Sequence, residues 1–256
     1  EVGEQACGDE GMGRLVNDKI LLLDIQKTLN IPILKNKNIL ISCGATFEKI
    51  DDARAITNLS SGKMGLSIVN EAYILGANVT LIYGRTETLP PSNIKCIYAP
   101  NHEIMNKLIK KNAKDNDIFI SVAAISDYIP NTISGKLKKH NDQLTLELHK
   151  SSDILSEIAS KFKNLFCVGF SAESENIIMN AQAKLKNKQL NMIVANSINE
   201  SMGQDSAEIY IIDNNEVIHI PNKSKNELAS NILNHIHKLE NKEDTIHEYK
   251  NWLQSS

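Results

Sequence analysis

Asn38-Ile-Leu-Ile-Ser-Cys43, followed at once by Gly44-Ala-Thr46, is an apolar run rich in β-branched residues that ends in a glycine turn. It reads as a strand buried on both faces. Four further runs share the texture: Val79-Thr-Leu-Ile-Tyr83, Ile118-Phe-Ile-Ser-Val122, Phe166-Cys-Val-Gly-Phe170 and Met192-Ile-Val194. Between them apolar residues recur at helical spacing, at Ile68, Val69, Ala72 and Leu75, at Ile104, Met105 and Leu108, at Ile154, Leu155, Ile158 and Phe162, and at Ile178, Ala181 and Leu185. Strands alternating with helices in this way predict an α/β fold, a Rossmann-like parallel sheet flanked by helices.

Beyond residue 206 the texture changes. Ile209-Tyr-Ile-Ile212 and Val217-Ile-His-Ile220 flank Asp213-Asn-Asn-Glu216 and predict an antiparallel hairpin. A helix follows, with the stripe Leu228, Ile232, Leu233 and Ile236 and a capping pair in Ser224 and Glu227. From Leu239 to Ser256 the chain is polar and is expected to fray. Leu144-Thr-Leu-Glu-Leu148 alternates apolar with polar and is expected to form an antiparallel excursion used for dimerisation. The chain therefore divides into residues 1–36, an α/β unit over 37–238 and a polar tail over 239–256.

Composition narrows the function. The 256 residues correspond to about one to two domains. Lys plus Arg is 28 against 31 for Asp plus Glu, a net charge of -3, and no lysine block offers a footprint for nucleic acid. Apolar runs end after about six residues, too short for a membrane span. The start, EVGEQACGDEGMGR, has acids and glycines where a secretory signal needs a basic and then an apolar stretch. A cytoplasmic location is expected. Cys7, Cys43, Cys96 and Cys167 lie far apart and predict free thiols, and His235 and His237, two apart, do not share a helix face as metal ligands would.

Candidate chemistry gathers after the strands. The long loop from Phe47 to Ser61 contains Arg54 and Asn58 and closes on Ser60-Ser61-Gly62-Lys63-Met64-Gly65 at a helix start. Free N–H groups, glycine and lysine there suit a phosphate, although a serine cap beside a solvated lysine would give the same string. Asn58 suits either a site or a simple turn. Asp127 stands beyond the carboxyl end of a central strand, where open α/β sheets bind ligands, or else caps a turn. Lys136-Leu-Lys138-Lys139 could grip a polyphosphate or merely be solvated. Ser152-Asp153-Ile154-Leu155 starts a helix, as a site of backbone donors or as an ordinary cap. Phe170 could face a base or plug the core. Lys184 and Lys188, four apart, share a helix face.

Together the strings Arg54-Ala-Ile-Thr-Asn58-Leu-Ser-Ser-Gly-Lys-Met-Gly65, Ala123-Ala-Ile-Ser-Asp127-Tyr and Lys136-Leu-Lys-Lys139 resemble phosphopantothenate cysteine ligase of coenzyme A biosynthesis, in order over about residues 37 to 237. Gln5-Ala-Cys7-Gly-Asp-Glu-Gly-Met-Gly-Arg14 is similar to the end of the flavin-dependent phosphopantothenoylcysteine decarboxylase fused to that ligase in many bacteria. Cys7 matches the decarboxylase's catalytic acid. FMN would belong to the decarboxylase body that this chain lacks, so decarboxylation is not expected.

The resemblance implies a ligase that joins 4'-phosphopantothenate and L-cysteine, using CTP and Mg²⁺, through an acyl-cytidylate. It implies Asn58 and Lys136 as catalytic residues. It implies nucleotide contacts from Ser121, Val122, Ala123, Asp127, Lys136, Ser152, Asp153, Ile154, Leu155, Phe170, Lys184 and Lys188. Arg54, Asn58, Ser60, Ser61, Gly62, Lys63 and Ala124 would hold phosphopantothenate, and Asp127 is the candidate metal ligand. The expected assembly is a homodimer. Two rivals are a nicotinamide-dependent oxidoreductase, for which the first strand lacks a Gly-x-Gly-x-x-Gly turn, and a non-catalytic nucleotide sensor.

Overall fold

In the computed structural model, which describes residues 2–4, 10–12, 17–138, 143–198 and 203–255, the chain opens with the antiparallel pair β1 (Val2–Glu4) and β2 (Glu10–Met12). Helix α1 (Asp18–Leu29) follows and buries no side chain completely. Cys7 lies outside the described residues. The sheet begins with β3 (Asn38–Cys43), after which come β4 (Phe47–Lys49), β5 (Ala55–Thr57), α2 (Lys63–Ile74), β6 (Asn78–Tyr83), β7 (Lys95–Tyr98) and α3 (His102–Ala113). The chain continues through β8 (Ile118–Ser121), β9 (Tyr128–Pro130), β10 (Leu148–Lys150), α4 (Ile154–Lys161), β11 (Phe166–Glu173), α5 (Ile177–Asn187) and β12 (Met192–Ser197). It ends with β13 (Ser206–Asp213), β14 (Val217–Ser224) and α6 (Lys225–Ser255).

Eight strands form one sheet in the order β14-β13-β12-β11-β8-β3-β6-β7. From β7 to β12 all pairings are parallel, and β13 and β14 add an antiparallel edge. The chain winds outward from β3 in one direction through β6 to β7, then returns to start again at β8. Between β3 and β8 lies the switch point, where the strands' carboxyl ends leave a crevice.

Alternation along β3 explains the two layers. Ile39, Ile41 and Cys43 join α2 and α6 on one face, with Leu228, Ile232, Leu233 and Ile236 fully buried. Leu40 joins Met105, Ile109, Ile158, Ala181 and Leu185 of α3, α4 and α5 on the other. The helix α2 packs close to β3 because position 65 has no side chain: a Cβ there would stand 2.2 Å from Cys43 Cβ. Burial pushes the Cys43 and Cys167 thiols up to about 12, so both stay protonated and neither offers a nucleophile.

Several expectations need correction. The stretch from Phe47 to Ser61 is not a plain loop, because β4 and β5 pair antiparallel within it. The edge strand β7 lacks a long apolar run and escapes a reading by periodicity. Ile104 and Ile178 face outward, at 38% and 37% exposed. The Leu144–Leu148 stretch is strand only from Leu148, where β10 pairs with β9, and Leu144, Leu146 and Leu148 are exposed. The expected fraying after Leu239 is also absent, since α6 continues to Ser255; the segment is rich in Lys and Glu, which favour helix. Ser224 and Glu227 do cap α6 reciprocally, the Ser224 N–H and hydroxyl both donating to Glu227 Oε2 at 3.1 and 2.6 Å. No helix among the described residues is long and apolar enough to cross a membrane.

Candidate active site

The crevice at the switch point has a volume of about 370 Å³, ample for a small-molecule ligand. Its floor is the strand ends Ser121-Val122-Ala123-Ala124 and Phe170, the last half-buried against the core. The chain leaves β3 through Gly44 in the left-handed region (φ 75°), and Ala124 N–H donates to the Gly44 carbonyl at 2.8 Å, which locks the β8 loop beside the β3 loop. Asp127 lines the mouth, exposed.

Two helix starts face this space. The first is α2, whose N-cap Gly62 has φ 76° and no side-chain cap. The Ser60 and Ser61 hydroxyls accept from Gly62 and Lys63 N–H, both at a long 3.4 Å, so serines cover these amides weakly and the string keeps both readings, a cap and a helix start suited to anions. The second is α4, where Asp153 is the cap and accepts from Ser156 N–H at 3.0 Å. Ser152 serves elsewhere: its hydroxyl accepts from Asn106 Nδ2 and its carbonyl meets His102 Nε2.

Lysines surround the crevice, and three of them hold carboxylates. Lys63 Nζ lies 2.8 Å from Asp205 Oδ1 and 3.7 Å from Glu87 Oε2. The Asp205 hydrogen bond raises the Lys63 pKa, and Lys63 in turn lowers that of Asp205. Lys184 Nζ lies 2.5 Å from Glu173 Oε1 and Lys188 Nζ 2.8 Å from Asp153 Oδ2. Burial pushes Glu173 and Asp153 up, but Lys184 with the Ser171 hydroxyl, and Lys188 with the Ser156 amide, outweigh it and hold both carboxyls below their ordinary range.

The residues expected at a nucleotide site, Ser121, Val122, Ala123, Asp127, Ser152 to Leu155, Phe170, Lys184 and Lys188, all line this crevice, as do Ser60, Ser61, Gly62, Lys63 and Ala124. Asn58 stands next to it, its Nδ2 donating to the Ala124 carbonyl at 3.1 Å. Arg54 and Lys136 do not line it. Arg54 is committed to Asp51, with Nη2 at 2.5 Å from Oδ2, and also donates to the Leu137 carbonyl at 2.8 Å. Lys136 is exposed on the loop that this pair holds, and Lys139 lies outside the described residues.

Sequence reasoning missed Asn196 at the end of β12, Ile209 on the antiparallel edge and Lys225 at the start of α6, all of which reach the crevice. It also missed Asp51, buried under the β4–β5 turn. The mixed apolar and polar texture after residue 206 marked only a hairpin, and nothing in it pointed back to the switch point. Among the described residues Asp213, Glu216 and His235 lie close enough to share a metal. They are already spent: Asp213 accepts from the Asn215 and Glu216 amides and pairs with His235 Nε2 at 2.7 Å, and Glu216 pairs with Lys238.

Comparison with known proteins agrees with this geometry. The family described as DNA/pantothenate metabolism flavoprotein C-terminal domain matches residues 34–239. The Coenzyme A biosynthesis bifunctional protein CoaBC of Vibrio parahaemolyticus is 42% identical over 209 residues, 80% of this chain and 52% of the relative. The protein of the same name from Vibrio cholerae is 36% identical over 242 residues, 92% of this chain and 61% of the relative. The chain thus spans about half the length of the Vibrio parahaemolyticus relative. A crystal structure of the C-terminal domain of Coenzyme A biosynthesis bifunctional protein CoaBC superposes with a TM-score of 0.73 at 32% identity, covering 82% of this chain and 99% of that one.

Proposed function

Because the chain belongs to the DNA/pantothenate metabolism flavoprotein C-terminal domain family, we propose that it is a cytoplasmic ligase of coenzyme A biosynthesis, joining 4'-phosphopantothenate to L-cysteine with CTP. The observation that carries the reading is the convergence of two helix starts and the lysines Lys63, Lys184 and Lys188 on one crevice at the sheet's switch point. Such a site suits two polyanions held within bonding distance.

In this reading the substrate carboxylate oxygen attacks the α-phosphorus of CTP, the bond to the β-phosphate oxygen breaks, and pyrophosphate leaves. The cysteine amine then attacks the acyl carbon of the acyl-cytidylate. The bond from that carbon to the phosphate oxygen breaks, CMP departs and the amine loses a proton. Lys184 and Lys188 exchange their carboxylates for triphosphate oxygens, the β8 backbone from Ser121 to Ala123 holds the nucleotide, and Phe170 lies against the base. Asn58, a neutral donor at the Ala124 carbonyl, steadies the acyl group without ionising.

Lys136 neutralises charge in the activation step. Because it stands outside its own crevice, it serves the crevice of a second copy, and the exposed Leu144, Leu146 and Leu148 beside β10 suit a homodimer. Asp127 fits Mg²⁺: an exposed carboxylate at the crevice mouth is the hard oxygen donor that this ion takes alongside substrate phosphates. When bound, the ion offsets phosphate charge.

The test is pyrophosphate release from CTP, with and without 4'-phosphopantothenate, before cysteine is added. Release that requires the phosphorylated acid, with amide formed only after cysteine, is expected. Lys136→Gln should cut that release by about a hundredfold or more, the scale of removing one charge stabiliser. NADPH oxidation without pyrophosphate would instead favour the oxidoreductase.

A further inference from the structure

His102, the first residue of α3, is 6% exposed and stands outside the crevice, yet it reaches the segment that lines it. Its Nε2 lies 2.8 Å from the Ser152 carbonyl oxygen. A carbonyl only accepts, so this nitrogen carries the ring proton and donates. One turn along, Asn106 Nδ2 donates to the Ser152 hydroxyl at 3.1 Å. Residues 102 and 106 share a helix face, so α3 holds both the backbone and the side chain of one residue. The histidine is anchored in turn through its own backbone. Its N–H donates to Glu48 Oε1 at 2.8 Å, and Glu48, 7% exposed on β4, sets its carboxylate at the amino end of α3, where the helix dipole favours it.

What these bonds hold is the entry to α4. Ser151 is tied from the other side, its N–H donating to the Asp127 carbonyl at 2.8 Å and its hydroxyl to the Ser126 carbonyl at 2.7 Å. Residues 151–153 lie in neither helix nor strand, so their place is set by such bonds rather than by a backbone ladder. Asp153 comes next, caps α4 and pairs with Lys188 at 2.8 Å. Ser151 to Leu155 line the crevice, whereas Glu48, His102 and Asn106 do not. Lys110, a further turn along α3, pairs instead with Glu157 on the body of α4 at 2.5 Å. The two helices are therefore joined along their length by Lys110, while His102 and Asn106 act at the crevice end.

We infer that His102 is a positioning residue for the nucleotide: through the Ser152 carbonyl, with Asn106 beside it, His102 fixes where Asp153 and the first turn of α4 face the crevice. The inference rests on the ligase reading for the identity of that nucleotide as CTP. Without the Nε2 donor the entry segment is free to shift, and Asp153 with its partner Lys188 shifts with it. His102 touches no reacting atom, so its loss weakens nucleotide binding more than it slows turnover of bound substrate.

Calorimetric titration with CTP tests this without turnover. His102→Phe keeps a buried ring and loses the donor, and it should raise the CTP Kd about five- to tenfold, the scale of one lost hydrogen bond. His102→Gln, whose amide nitrogen takes the place of Nε2, should stay within about twofold of wild type. Asn106→Ala should raise the Kd about threefold, and it carries the test if His102→Phe does not fold. Lys110→Met loosens α3 from α4 without touching Ser152 and should leave the Kd within about twofold. In turnover, His102→Phe should raise the CTP KM while kcat and the KM for 4'-phosphopantothenate stay within about twofold. An unchanged CTP affinity in His102→Phe and Asn106→Ala, an equal rise in Lys110→Met, no rescue by His102→Gln, or a wild type that does not bind CTP would each overturn the inference. A wild type whose CTP affinity depends on His102 but which releases no pyrophosphate would uphold the positioning role and refute the ligase reading.

Discussion

Gly65 shows how narrow the fit is at the level of single residues. Alanine is the better helix former by about 1 kcal/mol, yet its Cβ would sit 2.2 Å from Cys43 Cβ on a fully buried strand end. Neither atom belongs to a side chain that can swing away, so α2 must lift off β3. Overpacking of this kind costs about 1–3 kcal/mol, and we expect Gly65→Ala to be net destabilising, with a lower urea midpoint at unchanged slope. Legibility at this scale was uneven. Lys63, Lys184, Lys188 and Asp127 could be grouped from sequence only by their coincidence after the strands, since each alone also read as a cap, a turn or a solvated face, and all four line the one crevice. Lys225 could not, since a lysine at the start of a helix is ordinary in sequence and only the return of α6 to the switch point brings it to the crevice.

Between elements, the hairpin β4–β5 has a function that no periodicity announces. Its turn clasps the Lys136 loop: Asp51 Oδ2 accepts from Leu137 N–H at 3.0 Å, Asp52 Oδ2 accepts from Gly135 N–H at 3.1 Å, and Arg54 donates to the Leu137 carbonyl. Asp51 is 1% exposed, and its hydrogen bond with Arg54, backed by the amides of Ala53 and Leu137, holds its carboxyl well below the usual carboxylate range. Asp51 is thus a positioning residue for Lys136. On the proposed ligase reading, in which Lys136 serves the activation step, we expect Asp51→Asn to lower kcat for pyrophosphate release by about ten- to a hundredfold, as small misplacements of a catalytic group do, with the CTP KM nearly unchanged. A loss of folded protein would move both parameters together, so the split distinguishes positioning from collapse. In sequence the acids of this turn looked like loop residues, because their partners lie more than eighty positions away.

At the scale of the whole molecule the fold was largely legible, because β3, β6, β8, β11 and β12 are continuous apolar runs and their order in the chain fixes a doubly wound sheet. The edges were harder: β7 is short and half-exposed, and α6 is longer than its apolar stripe. What ties the antiparallel edge to the helix layer is Asp213, 7% exposed, which joins the β13–β14 turn to His235 of α6. Burial pushes its carboxyl up, but the Asn215 and Glu216 amides and His235 outweigh this and lower its pKa. A lowered carboxylate stabilises the fold above its unfolded value, about 3.9, and that contribution fades as pH falls through the folded value. Asp213→Asn should therefore cost about 1.5–3 kcal/mol at pH 7, and urea titrations should show the gap to wild type narrowing below about pH 4. The paired lysines of the crevice carry a last consequence. With Lys63, Lys184 and Lys188 each matched by a carboxylate, these three project little net field, so on the proposed ligase reading polyanion capture works as ion exchange more than as long-range attraction. A lone chloride or phosphate in the cell meets occupied exchangers, and only an entrant with several anionic groups on one scaffold can displace several carboxylates in a single event.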